Sequence, residues 1–191
     1  MTATQVLLSD GEVAWVRRLR PGDVAAVRAL HTRLSDRDRY YRFFGLGLAG
    51  LAKLAAHLSD DSGGGHVALG CFLHDRLVGV AQYEVLAAPA EAEIALVVDA
   101  HHRTHGVATL LLEHLVGIAG HEGVRRFVAD VLAENSQMLG VFAALGLPIR
   151  TGAGSPERQV VLSLDPTKDY LDAVAGRAVA ARSRNPGGEP R

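Results

Sequence analysis

From residue 66 onward the apolar residues change from helical to extended spacing, and short apolar strands then alternate with helices. This change of period limits the chain to an α/β fold more firmly than any other feature. HVALGCFLHDRLVGVAQYEVL (66–86) reads as a strand, a turn at His74-Asp75-Arg76 and a second strand. A third strand follows at EAEIALVVDA (91–100), then a loop, HHRTHG, and an apolar helix from residue 107 to 118. RRFVADVL (125–132) predicts a strand, ENSQMLGVFAAL (134–145) a helix ended by Gly146 and Pro148, and QVVLSLD (159–165) a last strand. One strand–helix–strand step therefore joins neighbouring parallel strands.

Before residue 66 the pattern differs. QVLLSDGEVAWVRRL (5–19) predicts two short strands around an Asp10-Gly11 turn. Pro21-Gly22-Asp23 opens a helix with Val24, Val27, Leu30 and Leu34 on one face and Asp23 placed to cap it. Ser35 and Asp38 form a capping box for a second helix, DRDRYYRFF, and a third carries Leu48, Leu51, Leu54 and Leu58. SDDSGGG (59–65) is a flexible loop by composition. Residues 167–182 suit a loosely packed helix, and RSRNPGGEPR (182–191) a disordered tail.

Composition narrows the function classes. A chain of 191 residues that is 48% hydrophobic can bury a core of its own, so disorder throughout is excluded. Twenty basic against 21 acidic residues leave a formal charge of -1, which provides no global field for nucleic acid or an anionic membrane. No apolar run approaches a membrane span, and the first residues lack a signal peptide's pattern. Cys71, alone in an apolar strand, reads as a core residue without a disulfide partner. A cytoplasmic protein is expected.

The junction Arg103-Thr104-His105-Gly106-Val107-Ala108 carries the chemistry. The first N–H groups of the helix lack intrahelical acceptors and sit at the positive end of its dipole, which favours a phosphate or pyrophosphate; Gly106 and Ala108 let oxygens approach the backbone. The same residues would also serve an ordinary β-to-α turn. His101, His102 and His105 invite a metal reading, but their spacing is poor and no cysteine or acidic triad accompanies them, so no metal is expected. Arg37, Arg39 and Arg42 read as a solvated helix face.

The pattern R-x-x-G-x-A between an apolar strand and an apolar helix, in this order of elements, resembles the acyl-CoA pyrophosphate loop of the GNAT acetyltransferase superfamily. The likeness spans roughly residues 10–165, and Asn135 followed by Phe142-Ala143-Ala144-Leu145-Gly146-Leu147 is close to the family's ending. LSDRDRYYRFF (34–44), AEIALVV (92–98) and VLAENSQML (131–139) are most similar to the GNAT domain of actinobacterial protein lysine acetyltransferases. The resemblance implies a mixed central sheet with splayed parallel strands flanked by helices, a GNAT domain over 1–165 and an appended segment over 166–191. It also implies acetyl-CoA as co-substrate and an amine acceptor, most simply a protein lysine. A small-molecule amine acetyltransferase and a non-catalytic acyl-CoA sensor are the alternatives.

It further implies roles. Ala95, Leu96, Val97 and Val98 would offer backbone groups to pantetheine, with the Val97 N–H polarising the thioester carbonyl. Arg103, Thr104, His105, Gly106, Val107 and Ala108 would hold the pyrophosphate, and Asn135 would both cap its helix and touch CoA. Glu93 occupies the position of the catalytic glutamate, with Glu84 and Glu91 as fallbacks; its apolar neighbours are expected to raise its pKa. Phe142 stands where many relatives carry a tyrosine acid, so it is expected to pack on CoA, leaving Tyr40, Tyr41 and Tyr83 as substitute acids.

Overall fold

The computed structural model describes residues 3–43, 50–60, 64–152 and 156–184. The elements in chain order are β1 (Thr4–Leu7), β2 (Val13–Arg18), α1 (Val24–Thr32), α2 (Asp36–Phe43), α3 (Leu51–Leu58), β3 (His66–Leu73), β4 (Arg76–Val85), β5 (Glu91–Val98), α4 (Val107–His121), β6 (Arg126–Leu132), α5 (Ser136–Ala144), β7 (Ile149–Thr151), β8 (Glu157–Ser163) and α6 (Lys168–Arg184). Short 3₁₀ turns precede α1 (Pro21–Asp23) and follow β5 (Ala100–His102). The strands form a single sheet in the order β1-β2-β3-β4-β5-β6-β8-β7, and β5–β6 is its one parallel pair among the described residues. The α/β class, the hairpins and the strand–helix–strand step match the expectation.

Alternation along the strands sends apolar side chains to two cores. On one face Ala81, Tyr83, Ala92, Ile94, Phe127 and Val160 pack against Leu111, Leu112 and Leu115 of α4. On the other, Ala68, Val80 and Val97 pack against Val27 and Leu30 of α1 and Ala55 and Leu58 of α3. A register shift at Cys71/Phe72 keeps both faces apolar across the β3–β4 hairpin. Its two-residue turn holds His74 and Asp75 at φ of 46° and 63°, so Arg76 belongs to β4 instead of the turn. Cys71 is fully buried, which pushes its thiol up to about 12.

Four local expectations are corrected. Asp23 does not cap α1 with its side chain; its carboxylate accepts from both terminal nitrogens of Arg17 at 2.7 and 2.8 Å and from the Arg20 N–H at 2.8 Å, because the 3₁₀ turn displaces it from the α-helical N-cap geometry. Only half of the capping box at α2 forms: Ser35 Oγ accepts from the Asp38 N–H at 3.1 Å while its hydroxyl donates back to the Asp38 carboxylate at 2.6 Å. β7 is a strand the sequence pattern did not signal, three residues long and held only by β8. α6 begins at Lys168 and runs three residues into the stretch expected to be disordered, while Leu48 and residues 185–191 lie outside the described residues. α6 is tied down by an ion pair from Arg177 to Glu113 of α4 and by the Thr167 hydroxyl, which donates to the Gly146 carbonyl at 2.9 Å.

α4 sits close to β4 because Gly79 has no side chain. A Cβ there would meet Val107 Cγ1 at 2.8 Å and Leu111 Cδ1 at 3.1 Å, so the start of α4 can lie on the sheet only over a glycine. Gly79→Val should destabilise the protein by about 1–3 kcal/mol through overpacking, read as a lower urea midpoint; an unchanged midpoint would show that α4 has slack at this contact.

Candidate active site

β5 pairs with β4 along its whole length, from Ala92 opposite Val85 to Val98 opposite Gly79, but its parallel ladder with β6 lasts only from Glu91 to Glu93. Beyond Glu93 the two strands part. Leu96, Val97 and Val98 are consecutive residues whose side chains alternate in direction, yet all three line one cleft of about 250 Å³. What the cleft meets is therefore the edge of the strand, where backbone N–H and C=O groups lack a neighbouring strand.

The cleft continues onto the start of α4. Gly106 is the N-cap residue at φ +84°, and a Cβ there would find nothing within 4 Å, so the approach to the first turn is open. The first intrahelical bond runs from the Leu110 N–H to the Gly106 carbonyl at 3.0 Å, leaving the N–H groups of Val107, Ala108 and Thr109 without helical acceptors. Those three residues, with Arg103, Thr104 and Gly106, line the cleft; Asn135, Gln137, Met138 and Val141 close it from α5, and Asp38, Tyr41 and Arg42 from α2. Asn135 caps α5 by accepting from the Met138 N–H at 3.2 Å.

Two fixtures that the sequence pattern did not reveal hold this loop. Asp99, 3% exposed, accepts from the His101 N–H at 3.2 Å, from Arg33 at 3.0 Å and from Arg76 at 3.1 Å. Burial works against its charge, but these partners outweigh burial and hold the carboxyl below the usual range. The second fixture is the β1–β2 turn: the Ser9 N–H donates to the His105 carbonyl at 3.1 Å, and the His105 ring lies 3.1 Å from Asp10. Arg103 is paired with Asp38. The guanidinium expected at a phosphate is thus shared with α2.

Leu96, Val97, Val98, Arg103, Thr104, Gly106, Val107, Ala108 and Asn135 come together at this cleft, whereas Glu93, Ala95, His105 and Phe142 do not line it. Phe142 is buried in the core, 2% exposed, and α5 turns Met138 and Val141 outward instead. Of the three tyrosines considered as acids, Tyr41 lines the cleft, Tyr40 is exposed and Tyr83 is buried with its hydroxyl donating to Glu122 at 2.5 Å. Arg42 is not a solvated surface group: it donates to Gln82 at 3.0 Å, and burial pushes it down to about 10 against the opposing pull of Glu93. His102 lines the cleft, and burial lowers its pKa.

Glu93 is exposed. Its apolar sequence neighbours Ala92 and Ile94 point to the other face of the strand, into the α4 core. Glu93 instead shares a face with Glu84, its partner on β4. Glu91 is committed to Arg126 at 2.8 Å and Glu84 to His57 at 2.5 Å, whereas Glu93 has no ion pair within 4 Å among the described residues.

Comparison with known proteins agrees with this geometry. Residues 28–147 match the model of the acetyltransferase (GNAT) family. A Pseudomonas aeruginosa protein, acetyltransferase PA5475, is 27% identical over 143 residues, covering 73% of this chain and 77% of that one. The crystal structure of the GNAT domain of S. lividans PAT is similar with a TM-score of 0.75 and 29% identity, over 84% of this chain and 96% of that domain. A mutant of the cAMP-binding acyltransferase from Mycobacterium smegmatis shares the fold, with a TM-score of 0.60, 19% identity and coverage of 96% of this chain and 56% of that protein.

The Asp99 cluster makes a prediction about stability. Because its pKa is depressed on folding, its contribution is complete above the ordinary carboxylate value of about 4 and is lost as pH falls through the folded value. Asp99→Asn should cost about 3 kcal/mol at pH 7, since two arginines lose a buried charge partner. In urea titrations the gap from wild type should begin to narrow as pH falls below about 5 and go on narrowing as pH falls through the depressed folded value; a gap independent of pH would show that the carboxylate's charge contributes nothing.

Proposed function

Because the chain belongs to the GNAT family of acetyltransferases and is an acetyl-CoA-dependent N-acetyltransferase, we propose that it moves acetyl directly from acetyl-CoA to a protein lysine, with Glu93 as general base. The observation that carries this reading is the parting of β5 from β6 immediately after Glu93. It leaves a strand edge that leads into the open first turn of α4. On this reading pantetheine lies along Leu96–Val98, taking the backbone bonds a neighbouring strand would take, and the pyrophosphate meets the N–H groups of Val107–Thr109. The Val97 N–H would polarise the thioester carbonyl, a contribution of a few kcal/mol to the barrier.

An incoming lysine must lose a proton before its nitrogen can attack. With a pKa near 10.4, deprotonation at pH 7.4 costs about 4 kcal/mol. Glu93 sits where the strands separate and, among the described residues, has no ion pair within 4 Å to break before accepting that proton. The amine then attacks the thioester carbonyl, the tetrahedral intermediate collapses with loss of the CoA thiolate, the nitrogen gives up its second proton, which balances the one the thiolate takes up, and acetyl-lysine leaves. With Phe142 in the core, the phenol available to protonate the thiolate is Tyr41, whose oxygen accepts from Arg37 at 2.7 Å. Similarity to the GNAT domain of S. lividans PAT, at 29% identity over most of this chain, supports a protein lysine over a small amine as acceptor.

Gly106→Val should weaken acetyl-CoA binding about tenfold or more in calorimetry, equivalent to losing one charge-assisted hydrogen bond. Wild-type affinity in a folded variant would move the pyrophosphate elsewhere.

Glu93→Gln should lower kcat/KM about 10²–10⁴-fold on lysine-containing protein while leaving acetyl-CoA affinity unchanged. Activity should recover as pH rises and free amine forms unaided. Equal rates with the same acidic limb would pass the role to another group. Transfer only to free small amines, or no turnover by the wild type, would favour the small-molecule and sensor alternatives respectively.

A further inference from the structure

Three elements bring together side chains that the acetyl-transfer reading does not use. His66 of β3 is the cross-strand partner of Glu84 on β4, and His57 stands over both from α3, a helix anchored by its buried Ala55 and Leu58. His57 Nε2 lies 2.5 Å and His66 Nε2 3.5 Å from the same carboxylate oxygen of Glu84, the two rings are 4.4 Å apart, and one ligating atom from each residue lies within 4.8 Å of the others. From these positions we propose that His57, His66 and Glu84 form a binding site for a divalent transition-metal ion, of which Zn²⁺ is the type, completed by solvent.

His66 carries the argument beyond simple proximity. Its side chain is only 10% exposed, yet among the described residues Nε2 makes no hydrogen bond and has only a 3.5 Å approach to Glu84. The ring is hydrogen-bonded by the backbone of Asp60, and with Nε2 unpartnered that bond falls to Nδ1. An imidazole that donates one ring N–H to a backbone carbonyl, leaving its other nitrogen to ligate, is the arrangement that orients metal-bound histidines. A plain His57–Glu84 ion pair accounts for two of the three groups and leaves this buried nitrogen unexplained. A bound ion satisfies all three.

The donor set and geometry fit this class of ion. Two imidazole nitrogens and one carboxylate suit zinc and its neighbours, and hard ions such as Mg²⁺ prefer an all-oxygen shell. Zinc bonds of about 2.0–2.2 Å place tetrahedral ligands roughly 3.3 Å apart. His66 and Glu84 already stand at 3.5 Å, and the His57 side chain, 52% exposed, is free to swing into place. Solvent can reach the fourth position past His57 and the 37% exposed Glu84. The ion would lie one strand away from Glu93.

The test uses tag-free full-length protein, stripped with EDTA and dialysed into metal-free buffer, then titrated with ZnCl₂ in competition with a chromophoric chelator. One ion per chain should bind with micromolar or tighter affinity, His57→Ala and Glu84→Gln should each weaken it at least tenfold, and MgCl₂ should not compete. Co²⁺ should give visible absorption of a four- or five-coordinate site, absent in a folded His57→Ala/Glu84→Gln double variant. No stoichiometric binding, or affinity unchanged in the double variant, overturns the proposal. Neither acetyl-CoA nor an acceptor is needed, so the outcome is independent of the acetyl-transfer reading.

Discussion

The parallel ladder between β5 and β6 ends after three residue pairs, and the organisation of the cleft follows from that short register. A strand edge is costly to leave open, because its N–H and C=O groups need partners. Here the open edge is that of a central strand, held in place by the full-length antiparallel pairing of β4 with β5 on its other side. The same divergence lets α5 approach from the far wall and leaves the first turn of α4 facing the gap. The proposed seating of acetyl-CoA, pantetheine along a strand edge and pyrophosphate at a helix start, needs this combination.

Rigidity around the gap comes from contacts distant in sequence. Asp99 gathers one arginine from α1's C-terminal boundary and one from β4, fixing the point where the chain leaves β5. The β1–β2 turn holds the other end of the loop through Ser9 and Asp10. Gly79 lets α4 come down onto the sheet between them. The Arg103–Asp38 pair links the loop to α2, so two walls of the cleft are tied together.

The fold was legible wherever the signal was local. Period changes, turn residues and caps gave β1 to β6, α4 and α5 within a few residues, and Asn135 caps as its position after β6 suggested. β7 escaped because three residues carry too little pattern, and its pairing with β8 is its whole reason for being a strand. Asp23 was misread because a capping aspartate and one paired with an arginine look alike in sequence. Phe142 could be placed on its helix but not on a face of it. The junction proposed to meet the pyrophosphate was visible in its small residues, whereas the anchors Asp99 and Ser9 and the cluster of His57, His66 and Glu84 exist only through long-range packing.

Hydrogen exchange with and without acetyl-CoA tests the central claim most directly, since it reads the backbone groups that the parted strands leave open. The account predicts that acetyl-CoA slows exchange at residues 95–98 of β5 and at Val107–Thr109 of α4, with little change along the β1–β2 hairpin strands. Protection confined to other segments, with the edge of β5 exchanging as before, would contradict it.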